Sequence, residues 1–219
     1  MKDLVIVGNG GHSKVLRDIV LREAQFRIVA VVDDAFEEAY MKDHKLHVPF
    51  MGVEPIRRTF PDAKWIIAVG TNEIRKKIFK RLAIPLTSYA TLIDPSAVIS
   101  PSAKIGFGTV IMPNAVINAQ AVIGEHSIIN SGAVIEHDCI VGNYTHISPQ
   151  AVLTGGVKIM NGVHIGANAS VIPGKVVGQW AVIGAGSTVI KSIPAYITAI
   201  GSPAVMKQKG GSKVEKYPS

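Results

Sequence analysis

The sequence predicts two domains of different fold, a small α/β domain over residues 1–92 and a parallel β-helix over residues 93–206. Two observations predict them. Strand-like and helix-like segments alternate up to Leu92, and from Ile93 onward an aliphatic residue recurs at every sixth position. The composition agrees, because 47% of the 219 residues are hydrophobic and only 18% are charged, which excludes a disordered chain.

The first domain is predicted from its hydrophobic periodicity. Aliphatic and β-branched runs predict strands at Leu4–Val7, Ile28–Val32, Trp65–Val69 and Ser88–Leu92. Apolar residues at helical spacing predict helices at His12–Ala24 and Glu73–Leu82. This alternation is typical of a parallel sheet with right-handed crossovers, about half of a doubly wound, Rossmann-like fold.

The second domain is predicted from its repeat, which runs seventeen times without interruption from Ile93 to Val189. Neither an α-helix nor an alternating strand has a period of six, whereas a short strand followed by a tight turn does. Three such units close a triangular coil of 18 residues. Successive coils then stack at about 4.8 Å, with the aliphatic residues inside. Cys139 occupies one of the small-residue corner positions and is predicted to pack there.

Charge and cysteine content exclude several classes of function. The net charge is +7, but residues 93–206 carry four basic and four acidic residues, and no basic stripe suits nucleic acid. One cysteine excludes a disulfide framework and a multi-thiolate zinc site. The chain has no cationic leader and no long apolar run, so we expect a cytoplasmic protein that does not bind membranes, with a solvated tail over residues 207–219.

A glycine-rich turn is the candidate nucleotide site. Gly10, Gly11 and His12 lie between the first predicted strand and helix, where backbone N–H groups can meet a phosphate. Asp33 and Asp34 end the second strand and suit a ribose or a base. Ser13 replaces the third glycine of the dinucleotide fingerprint, and the second half of a dinucleotide fold is missing. The pattern therefore favours uridine diphosphate over NAD.

Four motifs and the hexapeptide domain together resemble the sugar O/N-acetyltransferases, in particular the UDP-4-amino-sugar (bacillosamine-type) N-acetyltransferases and the sialic acid O-acetyltransferase group. The motifs are Val7–His12, Val32–Asp34, Val69–Lys77 and Asn130–Asp138. The likeness covers residues 3–206. It implies that the β-helix is left-handed and that the protein is a homotrimer. It also implies that acetyl-CoA binds between neighbouring β-helices and that the N-terminal domain holds a UDP-linked amino sugar.

The resemblance also implies roles for individual residues. His137 would be the general base for the sugar amine, a task that suits an imidazole with an ordinary pKa near ~6.5. Asp138, where the bacillosamine-type pattern has Glu, would orient His137, and His146 would contact acetyl-CoA near the thioester. The backbone N–H of Gly155, 18 residues after His137, is the candidate oxyanion donor. Residues expected along the acetyl-CoA groove are His146, Gly155, His164, Ala167 and Ala185.

His146 and His164 are also one coil apart, so their side chains are predicted to stack on the same outward face.

Several functions remain open from the sequence. The leading one is N-acetylation of a UDP-4-amino-4,6-dideoxy sugar for a polysaccharide or glycan, without a metal. O-acetylation of a sugar hydroxyl is the first alternative. A trimeric β-helical carbonic anhydrase, with His137, His146 and His164 as zinc ligands, and a non-enzymatic scaffold are the others.

Overall fold

The computed structural model describes residues 1–207, and its first part is an α/β domain built on a five-stranded sheet. The strands lie in the order β3-β4-β2-β1-β5, and only the β3–β4 pair is antiparallel. No helix within these residues is long and apolar enough to cross a membrane. The elements in chain order are β1 (Lys2–Val7), α1 (Gly11–Glu23), β2 (Phe26–Val32), β3 (Tyr40–Lys42), β4 (Lys45–Val48), α2 (Val53–Thr59), β5 (Lys64–Ile67) and α3 (Asn72–Leu82).

One predicted strand is wrong. Ser88–Leu92 does not extend the sheet: Leu86–Ser88 forms a 3-10 turn, and a single bridge joins Tyr89 to Trp65. Leu92–Ile93 instead pairs with Val110–Ile111 of the next coil. Ala90 and Leu92 are apolar because they are buried between the two domains. The hairpin of β3 and β4 and the helix α2 were not predicted.

The second domain is a triangular parallel β-helix with three faces. The docking face is named for its contact with the α/β domain, and the valine and lysine faces are named for outward-pointing residues. The docking face consists of Leu92–Ile93, Val110–Ile111, Ile128–Ile129, His146–Ile147, His164–Ile165, Val182–Ile183, Thr198–Ile200 and Val205–Met206. The valine face consists of Val98–Ile99, Val116–Ile117, Val134–Ile135, Val152–Leu153, Ser170–Val171 and Thr188–Val189. The lysine face consists of Lys104–Ile105, Val122–Ile123, Ile140–Val141, Lys158–Ile159 and Val176–Val177.

The stacking follows the predicted period. In strand pairs up to Val189, each residue pairs with the one 18 positions later, as Val116 does with Val134, whereas Val182 pairs with Thr198, 16 positions later. The second residue of each two-residue strand points inward, and this aliphatic ladder forms the main core. Cys139 is fully buried in that core, with its thiol donating to the Thr154 carbonyl at 3.2 Å, and burial raises its pKa. The predicted fold class is confirmed; the tail predicted over 207–219 lies, apart from Lys207, outside the described residues.

The two domains share one apolar interface. Leu4, Ile6 and Leu16 of the α/β domain pack against Leu92, Val110 and Ile128, which point outward from the docking face. The same outward column continues as His146, His164 and Val182. The outward residues of the docking face are aliphatic as far as Ile128 and become histidine at His146. The imidazoles of His146 and His164 therefore lie where the apolar contact between the domains ends.

Candidate active site

The glycine-rich turn opens the N-terminus of α1 to a ligand. Gly8 has φ +110°, which favours glycine, and its N–H donates to the Val32 carbonyl at 2.7 Å. Gly10 caps α1 and Gly11 is its first residue. A Cβ added at Gly10 or Gly11 would meet no atom within 4 Å. Gly10 and Gly11 are exposed, so the N-terminus of this 13-residue helix is accessible, and a helix N-terminus can bind an anionic group.

The two aspartates after β2 are already engaged. Asp33 accepts hydrogen bonds from the Asn9 N–H at 2.6 Å and from the Ala35 N–H at 2.9 Å, so its carboxylate shapes the glycine-rich turn. Asp34 is exposed and pairs with the guanidinium of Arg81 at 2.7 Å. Asp33 therefore contacts the glycine-rich turn, whereas Asp34 keeps an exposed carboxylate for a ligand.

A pocket of about 560 Å³ lies between the α/β domain and the docking face. The rings of His146 and His164 lie edge to face, with their centroids 4.9 Å apart, as the 18-residue spacing predicts. His12 reaches the same pocket from α1, an association that no spacing in the sequence indicates. The lining residues are His12, Gly70, Thr71, Asn72, Glu73, His146, His164 and Val182.

The histidines of this pocket are held neutral. Burial lowers the pKa of His146 to about 3 and that of His12 to about 4, and it also lowers the pKa of His164. The positive charge of Arg75 lowers all three further. At neutral pH these imidazoles can donate or accept a hydrogen bond, but they take up a proton poorly.

The lone pair of His146 is engaged by Asn130. The Ser131 N–H donates to Asn130 Oδ1 at 2.8 Å, which turns the amide nitrogen of Asn130 toward His146. That nitrogen lies 3.0 Å from His146 Nε2 and donates to it. His146 is therefore a poor candidate for a general base, and Asn130 is a site residue that the prediction did not single out.

His137 lies in the opposite environment. Its side chain is 63% exposed, and Nδ1 lies 2.8 Å from Asp138 Oδ2, so the shorter carboxylate does reach the ring. The hydrogen bond to Asp138, followed by the charges of Asp138 and Glu136, raises the pKa of His137. With Nδ1 donating to Asp138, Nε2 is free to take up a proton, which is the arrangement of a general base oriented by an acid.

Gly155 lies directly against the ring of His137. A Cβ at Gly155 would come within 2.8 Å of His137 Nε2, so a side chain there would displace the imidazole. Within residues 1–207 the Gly155 N–H has no hydrogen-bond partner. A free N–H beside an accessible imidazole nitrogen is the pair of groups that acyl transfer requires.

The predicted residues fall on three different parts of the β-helix. His137 and Gly155 lie on the edge between the valine and lysine faces, which is opposite the docking face. Ala167 and Ala185 lie on the edge between the docking and valine faces, whereas His146 and His164 lie on the docking face itself. A single chain therefore does not bring the predicted base and the pocket histidines together. In the described part of the chain no three His, Cys, Asp or Glu side chains form a metal-ion site.

Two residues of α3 that connect the domains were not predicted as site residues. Asn72 donates from Nδ2 to the carbonyls of Gly162 and Val163, at 3.1 Å in each case. Arg75 is 1% exposed and lies on the same face of α3 as Phe79 and Leu82. The sequence did contain one indication of this burial: Arg75 is spaced four and seven residues before Phe79 and Leu82, so it shares the apolar face of the helix, where a charged residue is unusual.

Comparisons with known proteins identify families that both domains resemble. Residues 3–82 match the family model described as the PglD N-terminal domain, and residues 102–137 and 120–155 match the bacterial transferase hexapeptide model. The UDP-N-acetylbacillosamine N-acetyltransferase of Bacillus subtilis (strain 168) is 47% identical over 108 residues. That match covers 49% of this chain and 50% of the relative, so the chain matches about half of that protein's length.

Two solved structures match over nearly the whole chain. PerB from Caulobacter crescentus, solved in complex with CoA and GDP-perosamine, is 32% identical, with a TM-score of 0.86 over 95% of this chain and 98% of its own. The acetyltransferase domain of PglB from Neisseria gonorrhoeae, in complex with acetyl coenzyme A, is 31% identical, with a TM-score of 0.83 over 94% and 99%. The chain belongs to the hexapeptide-repeat, acetyl-CoA-dependent sugar N-acetyltransferases.

Proposed function

We propose that this chain transfers an acetyl group from acetyl-CoA to the amino group of a UDP-linked 4-amino-4,6-dideoxy sugar, with His137 as the general base. The observation that carries the proposal is the exposed His137–Asp138 pair beside the free N–H of Gly155. The relative that is 47% identical over half of this chain is named for a UDP-sugar, which favours UDP. PerB binds GDP-perosamine, so GDP is the competing nucleotide. The predicted cytoplasmic location stays a prediction.

The reaction needs a base and an oxyanion donor. The sugar amine attacks the thioester carbonyl carbon, a C–N bond forms, and His137 Nε2 takes up the proton that the nitrogen loses. The negative charge that develops on the carbonyl oxygen is stabilised by the Gly155 N–H. The C–S bond then breaks, and the CoA sulfur leaves with the proton returned by His137. Asp138 keeps Nδ1 protonated and stabilises the imidazolium while it exists.

The acceptor is held by the α/β domain. Its diphosphate would meet the N-terminus of α1 at Gly10 and Gly11, with Asp34 toward the ribose or base. The amino sugar would then extend into the pocket of His12, His146 and His164. A neutral His146 suits this position because it can hydrogen-bond to a sugar or to the thioester without competing for the amine's proton.

The arrangement needs a second copy of the chain, and we propose the homotrimer that the sequence predicted. His137 is opposite the docking face of its own chain, so an acceptor held against that face cannot reach it. If three valine faces surround a threefold axis, the His137 edge of one copy meets the Ala167–Ala185 edge of the next. Val98, Val116, Val134 and Val152 point outward there and supply an apolar contact. The acetyl-CoA groove then lies between two copies.

The proposal is tested by product analysis. The purified chain is incubated with acetyl-CoA and one acceptor at a time, and product masses are measured by mass spectrometry. The acceptors are UDP- and GDP-linked 4-amino sugars and matched sugars that carry a hydroxyl in place of the amine. We expect a mass gain of one acetyl group on the UDP-amino sugar, lost in His137→Ala and kept in His44→Ala, which changes an exposed histidine remote from the site. Acetylation of the hydroxyl sugars alone, or of no sugar, would overturn the proposal.

A further inference from the structure

We propose that Arg75 is a positioning residue of the acceptor pocket: its buried guanidinium fixes the loop after β5 and the backbone next to His146 in one geometry. The inference rests on the proposed function for its kinetic consequence. Its structural basis is independent of that function, because every contact involved lies within one chain.

The guanidinium of Arg75 uses all of its donor groups. Nε donates to the His126 carbonyl at 2.6 Å, and Nη1 donates to the carbonyls of Val69 and Gly70, each at 3.0 Å. Nη2 donates to Asn72 Oδ1 at 2.8 Å and to the Thr145 carbonyl at 2.9 Å. The acceptors come from the α/β domain and from two successive coils of the β-helix. One side chain therefore ties three backbone segments together.

These contacts end at the residues that precede the pocket histidines. Thr145, bonded by Arg75, precedes His146, and Val163, bonded by Asn72, precedes His164. Gly70 also lines the pocket, and its backbone hydrogen-bonds with the ring of His146. Arg75 thus acts on His146 from two sides, through the Gly70 backbone and through the preceding peptide.

Among residues 1–207, no carboxylate forms a salt bridge or hydrogen bond with the buried guanidinium of Arg75. All of its hydrogen-bond acceptors are backbone carbonyls or the amide oxygen of Asn72. Burial lowers the pKa of Arg75, whereas the charges of Glu73 and Tyr144 raise it. Its charge lowers the pKa of His12, His126, His146 and His164. The same charge also favours an anionic ligand beside the pocket.

Lysine cannot take the place of this guanidinium. An ammonium group has three donors on one atom and cannot reach five acceptors spread around a planar fork. Arg75→Lys keeps the charge and releases most of the backbone contacts, whereas Arg75→Met removes both. Asn72→Ala is a milder change that keeps the guanidinium but removes one of its five acceptors and frees the carbonyls of Gly162 and Val163. Lys77→Met removes a positive charge from an exposed position of the same helix and is the matched control.

The first test is steady-state kinetics with acetyl-CoA and the UDP-amino sugar. We expect Arg75→Lys to raise KM for the sugar nucleotide by about tenfold or more, Asn72→Ala to raise it by a smaller factor, and both to leave KM for acetyl-CoA within about twofold. Lys77→Met should match the wild type. If Arg75→Lys does not fold, Asn72→Ala decides. An unchanged acceptor KM, or equal changes for both substrates, would overturn the proposal.

The second test uses no substrate, so it stands even if the proposed reaction fails. Histidine side-chain resonances are titrated by NMR in the wild type, Arg75→Met and Lys77→Met. We expect the pKa of His146 and of His12 to rise in Arg75→Met, because a charge that disfavours protonation has been removed, and to stay unchanged in Lys77→Met. Unchanged titration in Arg75→Met would contradict the role of the buried charge.

Discussion

His137 on its exposed edge and His146 in the pocket are the same residue type, but their environments shift the imidazole pKa in opposite directions. His137 is exposed, donates from Nδ1 to Asp138, and has a raised pKa. His146 is surrounded by the α/β domain and by His164, accepts from Asn130, and has a pKa lowered to about 3. The residue type is common to both sites, so the environment alone makes one imidazole the better proton acceptor and the other a neutral hydrogen-bonding group.

The largest expected effect comes from His137→Ala. Removal of a general base typically lowers kcat by ~10²–10⁴-fold, and we expect KM for acetyl-CoA to change little because the proposed mechanism directs the imidazole at the amine. Steady-state kinetics over a range of pH measures both constants. A kcat near the wild-type value at neutral pH would assign the base to another residue.

The next effect is that of Gly155→Ala. The added methyl group would lie 2.8 Å from His137 Nε2 and Cε1, so the imidazole must move away from the oxyanion donor. We expect kcat to fall by about 10²-fold, the scale of losing one oxyanion contact. The melting temperature should hold, because Gly155 does not have a positive φ and the displaced ring is exposed. A matching loss of stability would indicate a structural role instead.

Asp138→Asn removes the negative charge beside His137 but keeps a side-chain oxygen that can accept from Nδ1. The carboxylate raises the pKa of His137, so its removal lowers that pKa. The base must be unprotonated to act, and activity is therefore retained to lower pH in the variant. We expect the acid limb of the kcat–pH profile to move to lower pH and the plateau to fall by about tenfold, because the imidazolium loses its partner. A shift to higher pH would contradict the raised pKa.

The smallest effect is expected for Asp34→Ala. A charged hydrogen bond is worth about 1.5–3 kcal/mol, and the exposed Asp34 lies at the low end of that range, so KM for the sugar nucleotide should rise by about tenfold with KM for acetyl-CoA nearly unchanged. Arg81→Ala is the companion variant, because it removes the ion-pair partner and leaves the carboxylate. Equal changes for both substrates would indicate that Asp34 supports folding.

Both domains could be predicted from periodicity, because the six-residue ladder and the strand–helix alternation are local patterns. The same ladder placed His146 and His164 on one face, because a coil contains 18 residues and the two histidines are 18 positions apart. The entry of His12 into their pocket could not be predicted, because it depends on how α1 packs on the docking face. The opposed pKa shifts of His137 and His146 depend on the same packing. The role of Arg75 could not be predicted for a related reason: two of its five acceptors, the carbonyls of His126 and Thr145, come from distant coils that only the fold brings next to α3.

The central claim is that base and pocket act together across a boundary between two copies, and mixed trimers test it most directly. His137→Ala and His146→Ala chains are refolded together in equal amounts, and their activity is compared with that of each variant alone. If one copy supplies His137 and the next supplies His146, about one quarter of the sites have both, so about one quarter of wild-type activity should return. If the mixture is no more active than the average of the two variants, base and pocket belong to the same chain and the account is wrong.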